Sequence, residues 1–186
     1  MSDQNFTGIK SSGPGTFWLI GFRLDPNFSY PDFYTVVRED PAYWPITYKD
    51  QIILFQEAKT AQDALDFYIR HSRLPSSSVT DTPTMVLDFA QALYVLSKAS
   101  RDETSCVLNI INSLLDMLKA VSIELPPLYH SDLYLLADHL TFSKEFGSFI
   151  NDQQLNRGEI IEALQWALGA VLTKSMFFPK PDINSQ

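Results

Sequence analysis

Residues 16–24, TFWLIGFRL, are apolar on both faces of an extended chain. Side chains alternate along a strand, so Trp18, Ile20 and Phe22 point one way and Phe17, Leu19 and Gly21 the other. A strand with one wet face would interleave polar residues. A strand with none belongs near the middle of a sheet or under covering helices.

The neighbouring segments continue the extended pattern. Asp25-Pro26-Asn27 breaks the first strand, and residues 33–38 (FYTVVR) form a second, rich in β-branched and aromatic side chains. Glu39-Asp40-Pro41 ends it. Residues 43–48 and 51–56 then bracket Lys49-Asp50, which reads as a tight hairpin turn. Trp44, Ile46 and Tyr48 are expected on one face of the first arm. Pro45 has no N–H to donate and belongs at an edge or beside a bulge.

From Thr60 the apolar period lengthens to that of a helix. Thr60 is expected to cap the first one, with Leu65, Tyr68 and Ile69 as its stripe, and Pro75 lies beyond its end. Residues 84–98 read as a central helix, apolar nearly all round, capped by Asp81 or Thr82 with Pro83 at its first position. Ser100 and Glu103 form a capping box for a helix over 101–122. Val107, Ile110, Ile111, Leu114, Leu118 and Val121 face inward on it, and Asn109, Asn112, Asp116 and Lys119 make its wet face. Ser131 is expected to cap a shorter helix reaching Phe142, and the last helix spans about residues 157–175.

Strands followed by helices, without βαβ alternation, predict the α+β class. The expected architecture is an N-terminal antiparallel sheet of three to four strands packed against a C-terminal bundle of about five helices. Residues 1–15 read as a flexible N-terminal segment and 16–186 as a single domain. Residues 75–81, opening on Pro75-Ser76-Ser77-Ser78, are where a subdomain boundary would fall.

Charge narrows the function. The formal net charge is −8, and the 14 Lys and Arg residues are dispersed without a run. Nucleic-acid backbones and anionic membranes both select clustered cations, so neither is an expected partner. The longest uncharged helical stretches, 104–115 and 163–173, fall short of the roughly 20 residues a bilayer span needs. The single Cys106 cannot form an internal disulfide, and no basic and apolar leader opens the sequence. A cytoplasmic protein is expected.

Motifs that carry chemistry are missing. There is no phosphate-cradling glycine loop, no G-x-S-x-G elbow, no H-E-x-x-H and no C-x-x-C. His130, Asp132, Asp138 and His139 cluster in sequence, but Asp132 and His139 lie two helical turns apart, about 10 Å, too far for one ion. No metal and no cofactor is therefore expected. Cys106 stands close to Asp102 and Glu103, which oppose a thiolate, and reads as a small buried hydrophobe.

The unusual feature is the aromatic density of residues 17–55. A sheet stacked on helices absorbs about half of these rings in its core. The rest, especially Tyr30, Tyr34, Trp44 and Tyr48, are available to line a groove or interface, and Tyr34, Trp44 and Tyr48, together with Arg23, Arg38, Glu39 and Tyr43, are the candidate binding residues, centred on the loop over 39–44. Acidity, surplus aromatics and absent motifs together point to a non-enzymatic protein–protein interaction or an inhibitor or immunity-type factor, acting on a protein partner or by self-association. The alternative is a small enzyme or ligand-binding domain with a pocket at the sheet–helix junction, with Arg23, Arg38, Glu39 and Tyr43 as its first residues.

Overall fold

The computed structural model describes residues 16–39, 43–72, 84–98, 104–143 and 146–178, without the side chains of residues 43, 68–72 and 148. In chain order the elements are β1 (Thr16–Arg23), β2 (Phe33–Glu39), β3 (Tyr43–Pro45), β4 (Thr47–Tyr48), β5 (Gln51–Leu54), α1 (Ala58–Ser72), β6 (Met85–Asp88), α2 (Phe89–Lys98), α3 (Thr104–Ala120), α4 (Pro127–Phe142), α5 (Gly147–Asp152), α6 (Arg157–Thr173) and β7 (Ser175–Phe177). The class is α+β, with most strands first and most helices after, and both sheets are mixed rather than purely antiparallel, because β6 and β7 add parallel strands.

The two-faced strand lies where its apolar pattern requires. β1 is interior to a sheet of order β3-β2-β1-β6, antiparallel to β2 and parallel to β6. Ile20 and Phe22 enter the main core, built with Leu87, Ile110, Ile111, Leu114 and the inward residues of α4 and α6. Phe17 and Leu19 enter a second, smaller core closed by Ala61 and Leu65 of α1. The sheet is thus covered on both faces. β5 repeats the device: Ile52 and Leu54 join the main core, Ile53 and Phe55 the second.

A second sheet of order β4-β5-β7 abuts the first at β2. Tyr34 and Phe55 exchange both backbone hydrogen bonds at 2.8 Å, and the Thr35 hydroxyl donates to the Ile53 carbonyl at 2.8 Å. The expected hairpin is present. Tyr48 pairs with Gln51 across Lys49-Asp50, whose φ values of 49° and 59° are those of a type I′ turn.

Several local expectations change. Residues 85–88 are strand β6, not the first turn of a helix. Asp88 ends that strand and caps α2, its carboxylate accepting the Gln91 amide at 3.0 Å. Thr60 is buried inside α1, which begins at Ala58, and Ser131 lies inside α4, which opens on Pro127. Trp44 does not share a face with Ile46 and Tyr48, because the chain passes from one sheet to the other at Ile46. The Ile46 amide donates to Val36 at 2.9 Å while its carbonyl accepts from Ile53 at 3.1 Å. Pro45 does sit on an edge strand, opposite Val37. Beyond the last helix, β7 adds a parallel strand to β5. The segment over 1–15, the boundary at 75–81, the cap at 81–83 and the capping box at 100–103 lie outside the described residues.

Candidate functional site

At one end of the first sheet its helix-facing side is left open. Cross-strand register aligns Trp18, Val37 and Pro45 in one row, and Ile20 with Met85 in the next. These side chains form the floor of a groove of about 1370 Å³. Its far wall is the C-terminal half of α3, the turn to α4, and the start of α4 with His130, Ser131 and Tyr134.

The α3 wall is the polar stripe of its sequence. Asn109, Asn112, Ser113, Asp116 and Lys119 repeat at helical spacing and line the groove, while Ile110, Ile111 and Leu114 are buried in the main core. The stripe was expected to face water, and Asn109, Asn112 and Lys119 are exposed while Asp116 is half-buried. Burial pushes its carboxyl above the ordinary range, and the Lys119 ammonium acts in the opposite direction. Lys119 also spans to the sheet: its Nζ lies 5.5 Å from the centre of the Trp44 ring, a cation–π contact between α3 and β3.

The wall turns into α4 through a Schellman motif. Ser122 adopts φ 56°, the Ile123 amide donates to Leu118 at 2.9 Å, and the Ser122 amide donates to Lys119 at 3.1 Å. That reversal carries Ser122, Ile123, Glu124 and Leu125 along the rim of the groove. Glu39 joins from the sheet side: its carboxylate accepts the Trp18 indole N–H at 3.0 Å.

The residues singled out from sequence are not gathered at one site. Adjacent strand residues point to opposite faces, so Glu39 goes with Trp18 toward the groove while Arg38 is buried on the other side, its guanidinium 5.9 Å from the Phe17 ring. Arg23 lies at the opposite end of β1 and pairs with Asp88. Tyr34 packs on the second core, where burial raises its phenol pKa. Tyr48 also packs there, with Lys49 Nζ 5.2 Å from its ring. Trp44, opposite Arg38 on the edge strand, touches a groove residue only through Lys119, and the Tyr43 side chain lies outside those described. Glu39 and Trp44 thus border the groove without lining it, through Trp18 and Lys119, and Arg23, Tyr34, Arg38 and Tyr48 lie away from it.

Sequence reasoning missed Trp18 as floor and Asp116, Lys119, Glu124, His130 and Tyr134 as walls. The usable signal was the α3 polar stripe, whose last residue, the exposed Lys119, also reaches an aromatic ring. The sequence cluster around His130 and His139 resolves into ring contacts: His130 lies 4.5 Å from Tyr134, and His139 stacks on Phe149 at 3.6 Å. Among the described residues no group of His, Cys, Asp and Glu could hold a metal ion, and no helix is long and apolar enough to cross a membrane. No family model, no curated protein and no solved structure matches this chain.

Proposed function

We propose that this protein is a non-enzymatic binding module that takes up a segment of a protein partner in the groove between its first sheet and α3–α4. The observation that carries this reading is the groove: an apolar floor at Trp18, Ile20 and Met85 beneath walls of amide, hydroxyl and charged groups. Its volume of about 1370 Å³ exceeds the roughly 300–1000 Å³ typical of small-ligand pockets and suits a length of chain. Aromatic and aliphatic anchors inside a polar rim are the usual anatomy of such a surface.

A pull-down compares the wild type with Asn112→Trp, which fills the groove from an exposed wall position, and with Tyr94→Ala on an exposed site of α2. The reading expects one stoichiometric partner with wild type and Tyr94→Ala, lost with Asn112→Trp. A partner held equally by all three, or no partner at all, overturns it.

A second reading is favoured by one observation, the half-buried Asp116 beside Lys119: a small polar ligand bound at that pair. It expects loss of a small molecule, and no loss of a protein, when Asp116 is changed to Asn.

A further inference from the structure

We infer, resting on the groove reading above, that the occupant is a cationic amphipathic segment of a partner protein, apolar side chains on Trp18 and Met85 and Lys or Arg along a rim of carboxylates. Among the described residues, the charged groups lining the groove are Asp116, Glu124 and Lys119. Lys119 already faces the Trp44 ring. Glu39 adds a third carboxylate beside the floor, and the neutral indole N–H that it accepts does not cancel its charge. The rim is therefore net negative around an apolar centre.

The adjoining surface of α4 has the same character. Its sequence holds Asp132 and Asp138 and no Lys or Arg. Leu128, Leu135 and Phe142, spaced seven residues apart, are exposed on its outward side, Phe142 by 86%. Tyr134, half-exposed on the groove wall, links this stripe to the groove. Apolar ground edged by carboxylates thus extends past the groove itself.

Charge selects among occupants. A second copy of this chain brings another net −8 to a rim that is itself acidic. Nucleic acid and anionic lipid are opposed in the same way. A Lys or Arg side chain reaching Asp116 restores the solvation that burial has removed from that carboxylate, and apolar anchors cover the floor.

The test uses three amphipathic peptides of about 18 residues, with Leu on one face and Lys, Gln or Glu on the other. The indole N–H resonances of Trp18, Trp44 and Trp166 report binding in the full chain. Trp166 packs on Tyr129 between α4 and α6 and serves as the internal reference. The Lys peptide is expected to shift Trp18 and Trp44 and leave Trp166 in place. Its Kd should rise about tenfold between low and about 0.3 M salt. Asp116→Asn with Glu124→Gln should weaken it about tenfold and leave any Gln-peptide affinity unchanged. If Gln and Lys peptides bind alike at Trp18 and Trp44, the cationic assignment fails and the groove reading stands. If no peptide moves either indole, both fail, and binding of the Lys peptide without those shifts counts as failure too.

Discussion

Gly21→Ala tests how tightly the face of β1 turned away from the groove is packed. Gly21 lies in the middle of β1, opposite Tyr34 and beside Val86, and is fully covered. Its backbone is not in the left-handed region, so alanine can adopt the conformation and the obstacle is steric. A Cβ at this position would stand 2.5 Å from Pro31 Cγ and 2.9 Å from Pro31 Cβ. A ring cannot rotate away as a flexible side chain would. Its loop is also tied down: the Asp32 amide donates to Phe22 at 2.7 Å, and the Asp32 carboxylate accepts the Leu24 amide at 2.7 Å. Overpacking of this kind costs about 1–3 kcal/mol. Reduced freedom of the unfolded chain returns about 0.4–1 kcal/mol. The net expectation is a loss of about 1–2 kcal/mol in urea unfolding at unchanged m-value. Pro31→Gly removes both clashing atoms, so the double variant should be less destabilised than the sum of the two singles by more than about 0.5 kcal/mol. A neutral or stabilised Gly21→Ala, or strict additivity with Pro31→Gly, refutes the reasoning.

Three other perturbations probe separate parts of the fold. Lys49→Asn with Asp50→Gly places the preferred type I′ pair where both residues have positive φ, and should stabilise by about 1 kcal/mol, read as a higher urea midpoint. Asp88→Ala removes the α2 cap and the partner of Arg23 and should cost about 1–2 kcal/mol, whereas Asp88→Asn keeps a capping oxygen and should cost less. Asp116 has a folded pKa raised above its ordinary 3.8, so the stability it contributes is full below 3.8 and is lost as pH rises through the raised value. Asp116→Asn should therefore be more stable than wild type near pH 7, with the gain vanishing as pH falls below 3.8, measured by urea unfolding across pH.

The fold was legible where periodicity is unambiguous. Two apolar faces in residues 16–24 required cover on both sides, and β1 has a core on each. Lys49-Asp50 was legible as a turn because it interrupts two strand-like runs. Residues 85–88 were misread because a short continuous apolar run suits a buried strand and a buried helix equally, and Asp88-Phe89-Ala90-Gln91, a capping signature, was the overlooked separator. Two helix ends escaped for another reason: Ser122 and Gln154 take the left-handed position that sequence rules reserve for Gly or Asn. β7 is three residues long and exists only through its pairing with β5, a contact distant in sequence.

The candidate site was half legible for a reason rooted in geometry. Periodicity says which face of α3 is polar, but not whether that face looks onto bulk water or across a gap at another element. The gap arises from the shortness of β3. Pro45 closes that strand against Val37, and Ile46 then leaves for the second sheet, held by Val36 on one side and Ile53 on the other. A longer β3 would carry further side chains over the end of the floor beside Trp18 and Val37. Instead the edge finishes at Trp44, which Lys119 reaches from α3, and the space between sheet and helix stays open beneath that contact. The same aromatic strands that make the two cores therefore also leave the groove. Of the residues singled out from sequence, Glu39 and Trp44 sit at this sheet edge beside the candidate groove, and the helix that faces it was not singled out.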